Sequence, residues 1–275
     1  MEKGKKVLLS IGAGTLAIAG VFALALQNTK SDSFFARADA VALNTLTFEV
    51  RNEGGAYSST ESQGEGGLKL EVTNGDYQGW KYGLVNWSFP TIAEQDYYCE
   101  FVMTLNVSGW EVGGANYSEI VLMCNEGGGD GYRGANYCKN FIKDVEFTVG
   151  QTFKASGAAT AINLQLGGLR DADEHNAFTA TIKKFVMKTG SNVGPIVNRI
   201  NFESGAAFAN RWKAAHDAND FCDVDANVAE ELIYDYSALY PAERTAMASI
   251  LESDGETLVK DSVDYFAERL HIALE

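Results

Sequence analysis

Residues 161–188 read AINLQLGGLRDADEHNAFTATIKKFVMK, and this stretch decides the fold class. Ile162, Leu164 and Leu166 alternate with Asn163, Gln165 and Gly167. Phe178, Ala180 and Ile182 alternate with Thr179, Thr181 and Lys183. A period of two is the strand signal, so each half presents one apolar and one polar face, with a charged, water-facing loop between them. Two such strands cannot bury an apolar face alone, and the rest of the chain has to supply a second sheet over them.

The same period runs from about residue 45 to Gly190. Leu46, Phe48 and Val50 alternate with polar neighbours, as do Leu68, Leu70 and Val72. The longest run is 97–108, where Tyr97, Cys99, Phe101, Met103, Leu105 and Val107 share one face. Ile120, Leu122 and Cys124 follow, then Val145, Phe147 and Val149. This gives roughly eight to ten strands separated by Gly- and Asn-rich connections, with no helical pattern between them. The economical fold is an all-β jelly-roll sandwich. Two places slip in parity. Trp80 and Tyr82 point one way and Trp87 and Phe89 the other, and Lys183-Lys184 interrupts the last strand; each reads as a bulge or as an exposed aromatic group.

After Gly190 the apolar spacing changes to three and four. Residues 191–198 read as a linker, and 199–275 as a small all-α helical bundle: Phe208, Trp212 and Ala215; Val228, Leu232, Tyr236 and Leu239; Val259, Phe266 and Leu270. Asp225 is placed to cap the second helix, and Pro241 suits the first turn of the third.

At the other end, Lys3, Lys5 and Lys6 precede an apolar run, 7–26, and then small residues around Ala38 and Ala40. Residues 1–40 read as an export sequence, either a cleaved signal peptide or an uncleaved N-terminal membrane anchor. Both place the β-rich segment, 41–190, outside the cell. The 22 basic and 37 acidic residues give a net charge of −15, which repels phosphate backbones and excludes nucleic acid as a natural partner.

Little in the sequence points to catalysis or metal. The three histidines lie far apart, and there is no GxSxG, HExxH, GxGxxG or Walker arrangement. The four cysteines lack CxxC spacing; Cys124 and Cys138 flank one loop and are placed to pair, while Cys99 reads as a buried small apolar residue. The reading is therefore of a non-enzyme with no cofactor and no metal.

The strand pattern resembles the jelly-roll carbohydrate-binding modules of the family 4, 9, 16 and 22 type, a galactose-binding-like sandwich. The likeness rests on Phe48-Glu49, the segment with Trp80 and Trp87, the long strand 97–108, Leu164-Gln165-Leu166-Gly167, and 178–187. It implies glycan binding. Such modules often hold a structural calcium, but Lys183-Lys184 stands where an acidic last strand would help to hold it. The tail is similar to an uncharacterised helical module of secreted bacterial proteins, through Phe208-Ala209, Phe221-Cys222-Asp223, 236–239 and Tyr265-Phe266.

A sugar site needs aromatic faces to stack on CH patches and planar polar groups to meet hydroxyls. The candidates are Trp80, Tyr82, Trp110, Asn125, Asp130, Tyr132, Arg133, Tyr137 and Gln165, with Tyr117 and Asn136 in the wider set. Val85 and Phe89 share the face of Trp87 and mark it as core; glycine-rich loops mark Trp110 and Tyr132 as exposed. The expected protein is a secreted or surface-tethered, non-catalytic glycan binder, with a protein partner open to the helical domain. An extracellular adhesion or assembly module and a small β-sandwich glycosidase or lyase are the alternatives. The last would use carboxylates such as Glu126, Asp130 and Asp173.

Overall fold

A computed structural model describes residues 40–41, 43–76, 78–108, 119–126, 132–138, 141–171, 173, 175–219, 226–253 and 273–274. The strands are β1 (Ala40–Val41), β2 (Glu49–Asn52), β3 (Ser58–Gly64), β4 (Gly67–Asn74), β5 (Tyr82–Pro90), β6 (Asp96–Val107), β7 (Ile120–Glu126), β8 (Tyr132–Cys138), β9 (Phe147–Lys154), β10 (Ala159–Gln165), β11 (Phe178–Thr189), β12 (Ile196–Asn201) and β13 (Ala273–Leu274). Among the described residues three α-helices follow β12: α1 (Gly205–Asn219), α2 (Ala226–Ala238) and α3 (Pro241–Ser253).

Two antiparallel sheets form a sandwich. One has the order β2-β5-β10-β7-β8, and the other β3-β4-β11-β6-β9 with β12 added beside β11. Their inner faces carry Leu70, Leu84, Phe101, Leu105, Leu122, Leu164 and Phe185, all buried in one core. On β6, Tyr97, Cys99, Phe101, Met103, Leu105 and Val107 are buried as their alternation predicts.

The two halves of 161–188 are strands, but they are not paired with each other. β10 lies between β5 and β7 in one sheet, and β11 between β4 and β6 in the other. The reason is length: the connection 166–177 is too long for a tight hairpin and long enough to cross the roughly 10 Å between packed sheets. It is also less solvated than its charges suggest. Leu169 and Asn176 are buried, and the Asn176 amide donates to the Gly167 and Leu169 carbonyls at 2.8 and 2.9 Å.

Both parity slips are bulges. Between Phe89 and Asn86 two β5 residues, Trp87 and Ser88, oppose the single Ala161 of β10. Lys183 is the extra residue on β11, between Ile182 opposite Met103 and Lys184 opposite Val102. An extra residue reverses the facing of everything beyond it, so Ile182 and Phe185 both reach the core.

The expected linker is corrected. Residues 191–195 turn, but Ile196–Asn201 is a strand that extends the six-stranded sheet through β11. The helices are joined to the sandwich rather than hung from it. Phe202 is fully buried, with ring centroids 6.2 Å from Phe48, 6.4 Å from Phe101 and 5.0 Å from Tyr240. The Arg244 guanidinium donates to the Asn44 carbonyl at 2.8 Å, and the Asn44 N–H to that of Ser237 at 2.9 Å. α3 begins at Pro241 as expected, and its Glu243 accepts the Gly205 N–H at the start of α1 at 2.7 Å. The expected fourth helix, the capping residue Asp225 and residues 1–39 lie outside the described residues. Among the described residues no helix is long and apolar enough to cross a membrane.

Candidate functional site

The site is built on the outer face of the five-stranded sheet. Strand alternation sends Leu84, Ile162, Leu164 and Leu122 inward, so their neighbours face out. Register sets those neighbours in rows. Glu49, Val85, Asn163, Met123 and Ala135 form one row across all five strands. Arg51, Gly83, Gln165, Val121 and Tyr137 form the next. Gly83 fits its row only without a side chain: at φ 151° an added Cβ would lie 1.9 Å from the Leu164 carbonyl oxygen.

This polar face is not solvated in the way the alternation implies. Asn163 is 6% exposed and Gln165 8%, between Val85 and Val121 at 1% and 5%. Among the described residues Asn163 makes no side-chain hydrogen bond, and the Gln165 amide donates only to the Met123 sulfur, at 3.8 Å. A sulfur acceptor is weak, so most of the donor and acceptor capacity of these amides is left for water or a ligand. The floor therefore presents two recessed amides with unused hydrogen-bonding capacity.

One edge of this floor carries two indoles. Trp80, in the 3-10 turn Gly79–Lys81, is 42% exposed, and Trp87 is 36% exposed. The Arg51 guanidinium sits between them, its Cζ 5.1 Å from one ring centroid and 5.2 Å from the other. Lys81 approaches Trp80 at 5.6 Å while its ammonium pairs with Asp76. The Trp87 indole N–H donates to Glu49 at 2.7 Å, and Arg51 pairs with Glu53. Cation–π contact of this kind is worth about 0.5–1 kcal/mol per ring at an exposed site, which orders both indoles.

The expected site residues divide. Trp80 and Gln165 belong to this face, and Asn125 stands on its next row, opposite Ala161 and Tyr132. Tyr82 is corrected: it has no exposed surface and packs at 5.1 and 6.1 Å from the Tyr57 and Phe178 rings, because it precedes the β5 bulge and faces inward. Trp87 is corrected the other way: it shares parity with the outward Val85, and the bulge returns only Phe89 to the core. Asn136 donates to the Gly150 carbonyl at 2.8 Å and ties β8 to β9. Tyr132, Arg133 and Tyr137 lie on β8, where only their backbone positions are described, with Tyr137 opposite Val121. Trp110, Tyr117 and Asp130 lie outside the described residues.

Sequence reasoning missed Asn163, Glu49 and Arg51. Asn163 shares strand and parity with Gln165, and Glu49 and Arg51 alternate with Phe48 and Val50, so the signal was present. In the two rows the only carboxylate is Glu49, and Trp87 engages it.

The cysteine expectation also changes. Register sets Cys124 opposite Gly134 and Cys138 opposite Ile120, so these two are not cross-strand partners. Cys124 instead faces Cys99, which is buried as expected.

No protein-family model matches the chain, and no curated protein matches it. Among solved structures it is similar to a CBM4 module, at 16% identity over 52% of this chain and 94% of that one, with a TM-score of 0.39. It is also similar to the C-terminal CBM6 of LamC, a laminarinase from Zobellia galactanivorans: 12% identity, 51% of this chain, 98% of that one, TM-score 0.31. A third is the CBM22-1 xylan-binding domain of Xyn10C from Paenibacillus barcinonensis, at 15% identity over 57% of this chain and 90% of that one, TM-score 0.31.

Proposed function

We propose that this protein is a secreted or surface-tethered, non-catalytic carbohydrate-binding protein that takes a glycan on the outer face of the five-stranded sheet. The observation that carries this reading is the pair Asn163 and Gln165, two amides more than nine-tenths buried on an outward face, without strong partners among the described residues and beside the exposed indoles of Trp80 and Trp87. Sugar hydroxyls both donate and accept, as amides do, so a hydroxyl pair satisfies a carboxamide without charge. A pyranose ring offers a flat CH patch to an indole, and an indole already held by Arg51 or Glu49 loses little freedom on binding.

The second class of partner, a protein, is expected to meet a broad apolar patch. This face instead sets amides beside indoles. The exposed apolar side chains Ile92, Ile142, Val145 and Val193 lie on other segments.

The test is retention of the full chain on a panel of immobilised plant, microbial and host polysaccharides. Retention on at least one, released by the free oligosaccharide, is the expected result. Absence of binding across the panel would remove the proposal.

A further inference from the structure

Cys99 and Cys124 meet inside the core. Cys99 stands on β6 opposite Met187 and Gln151, and Cys124 on β7 opposite Ile162 and Gly134. β6 and β7 belong to different sheets, so the thiols approach each other across the sandwich. Both are free and have no exposed surface, and their sulfurs are 3.5 Å apart. Sulfurs in a disulfide are about 2.05 Å apart, and side-chain rotation of two unbranched residues supplies most of the roughly 1.5 Å that separates contact from bond.

We infer that Cys99 and Cys124 are an oxidation site, joined as an inter-sheet disulfide when the chain folds in the presence of a small-molecule disulfide such as oxidised glutathione. The Cys99 thiolate attacks one sulfur of the oxidant, forming a mixed disulfide and releasing one glutathione thiolate. The Cys124 thiolate then attacks the Cys99 sulfur and expels the second. Two electrons pass to the oxidant, two protons leave the cysteines, and one glutathione disulfide becomes two glutathione thiols.

The placement favours a bond over two small apolar side chains that merely pack. Across the sandwich the two sulfurs are in direct contact, although their residues are 25 apart in sequence. A link there would close the whole β6 to β7 connection and pin the two sheets at mid-core. The Cys99 thiol is pushed well up, first by its contact with Cys124 and then by burial, so little thiolate exists once the core has closed. The chemistry therefore belongs to folding, before the sheets meet. This inference is independent of the glycan reading.

Refolding the reduced full chain in a glutathione redox buffer, followed by alkylation under denaturation and peptide mapping, tests it. Trypsin is unsuitable because no Lys or Arg lies between Lys81 and Arg133. Cleavage after glutamate cuts at Glu94, Glu100, Glu111, Glu119 and Glu126, placing Cys99 on peptide 95–100 and Cys124 on 120–126. The expected product is these two peptides joined, with the oxidised protein melting on the order of 5–10 °C above the same protein in dithiothreitol. Alkylation of both cysteines, or a bond from either to Cys138 or Cys222, would overturn the inference. A Cys138→Ala, Cys222→Ala variant gives the same answer by thiol titration: no free thiol after oxidation supports the pair, and two free thiols refute it.

Discussion

The Trp87 indole N–H donates to the Glu49 carboxylate at 2.7 Å, across the β2–β5 edge of the five-stranded sheet. This bond fixes the plane of a ring that strand alternation has already turned outward, with Val85. Glu49→Ala leaves the ring in place and frees its rotation. The expected result is severalfold weaker glycan binding by calorimetry, with stability within about 0.5 kcal/mol of the parent because the site is exposed. Unchanged affinity would mean that Trp87 does not contact the sugar.

Arg51 holds both indoles at once, at 5.1 and 5.2 Å. Arg51→Ala is expected to cost about 1–2 kcal/mol of stability, the sum of two cation–π contacts. Acrylamide quenching of tryptophan fluorescence should increase as Trp80 and Trp87 separate. Equal quenching in the two proteins would show that the stack does not order the rings.

These features show how far the sequence reaches. Alternation identified β6, β10 and β11 and the two bulges, since a period of two and its interruption are local properties. It paired β10 with β11 wrongly, because sheet membership depends on where the crossing 166–177 lands. Tyr82 and Trp87 exchanged roles for a related reason: alternation runs unbroken from the inward Tyr82 and Leu84 to the outward Val85 and Trp87, and the bulge at Trp87–Ser88 returns only Phe89 to the core. Periodicity also treats any outward polar residue as solvated. Asn163 and Gln165 are outward and buried together, a state that depends on what surrounds the face.

Phe202 packs on Phe48 of the sandwich and on Tyr240 beside the helices, a contact between segments that the sequence divides into two domains. Phe202→Ala should cost about 3–5 kcal/mol. Unfolding in denaturant should remain a single transition for the parent chain when followed by circular dichroism and by tryptophan fluorescence. Two separated transitions in the parent would contradict this joining.

Alkali should unfold the protein earlier than its carboxylates and lysines suggest. Burial, helped by the neighbouring Glu100, pushes the Tyr98 hydroxyl up to about 12, and burial also raises Tyr57, Tyr82 and Tyr240. The folded state thus keeps protons that the unfolded chain loses near pH 10. The stability these groups contribute is complete below pH 10 and falls as pH rises from 10 towards 12. Urea midpoints measured at pH 8, 10 and 11.5 should drop more steeply over the second interval than over the first. A flat profile throughout would exclude the contribution.

The central claim is that Asn163, Gln165, Trp80 and Trp87 meet a sugar on one face. Its most direct measurement is a two-dimensional nitrogen–proton NMR titration of the full chain with an oligosaccharide from the polysaccharide that retains it, following side-chain signals. The account predicts saturable shifts of the Asn163 and Gln165 amide groups and of the Trp80 and Trp87 indole N–H groups, while Asn176, buried in the 166–177 connection, stays still. Shifts confined to other side chains, with these four signals unmoved at saturation, would contradict it.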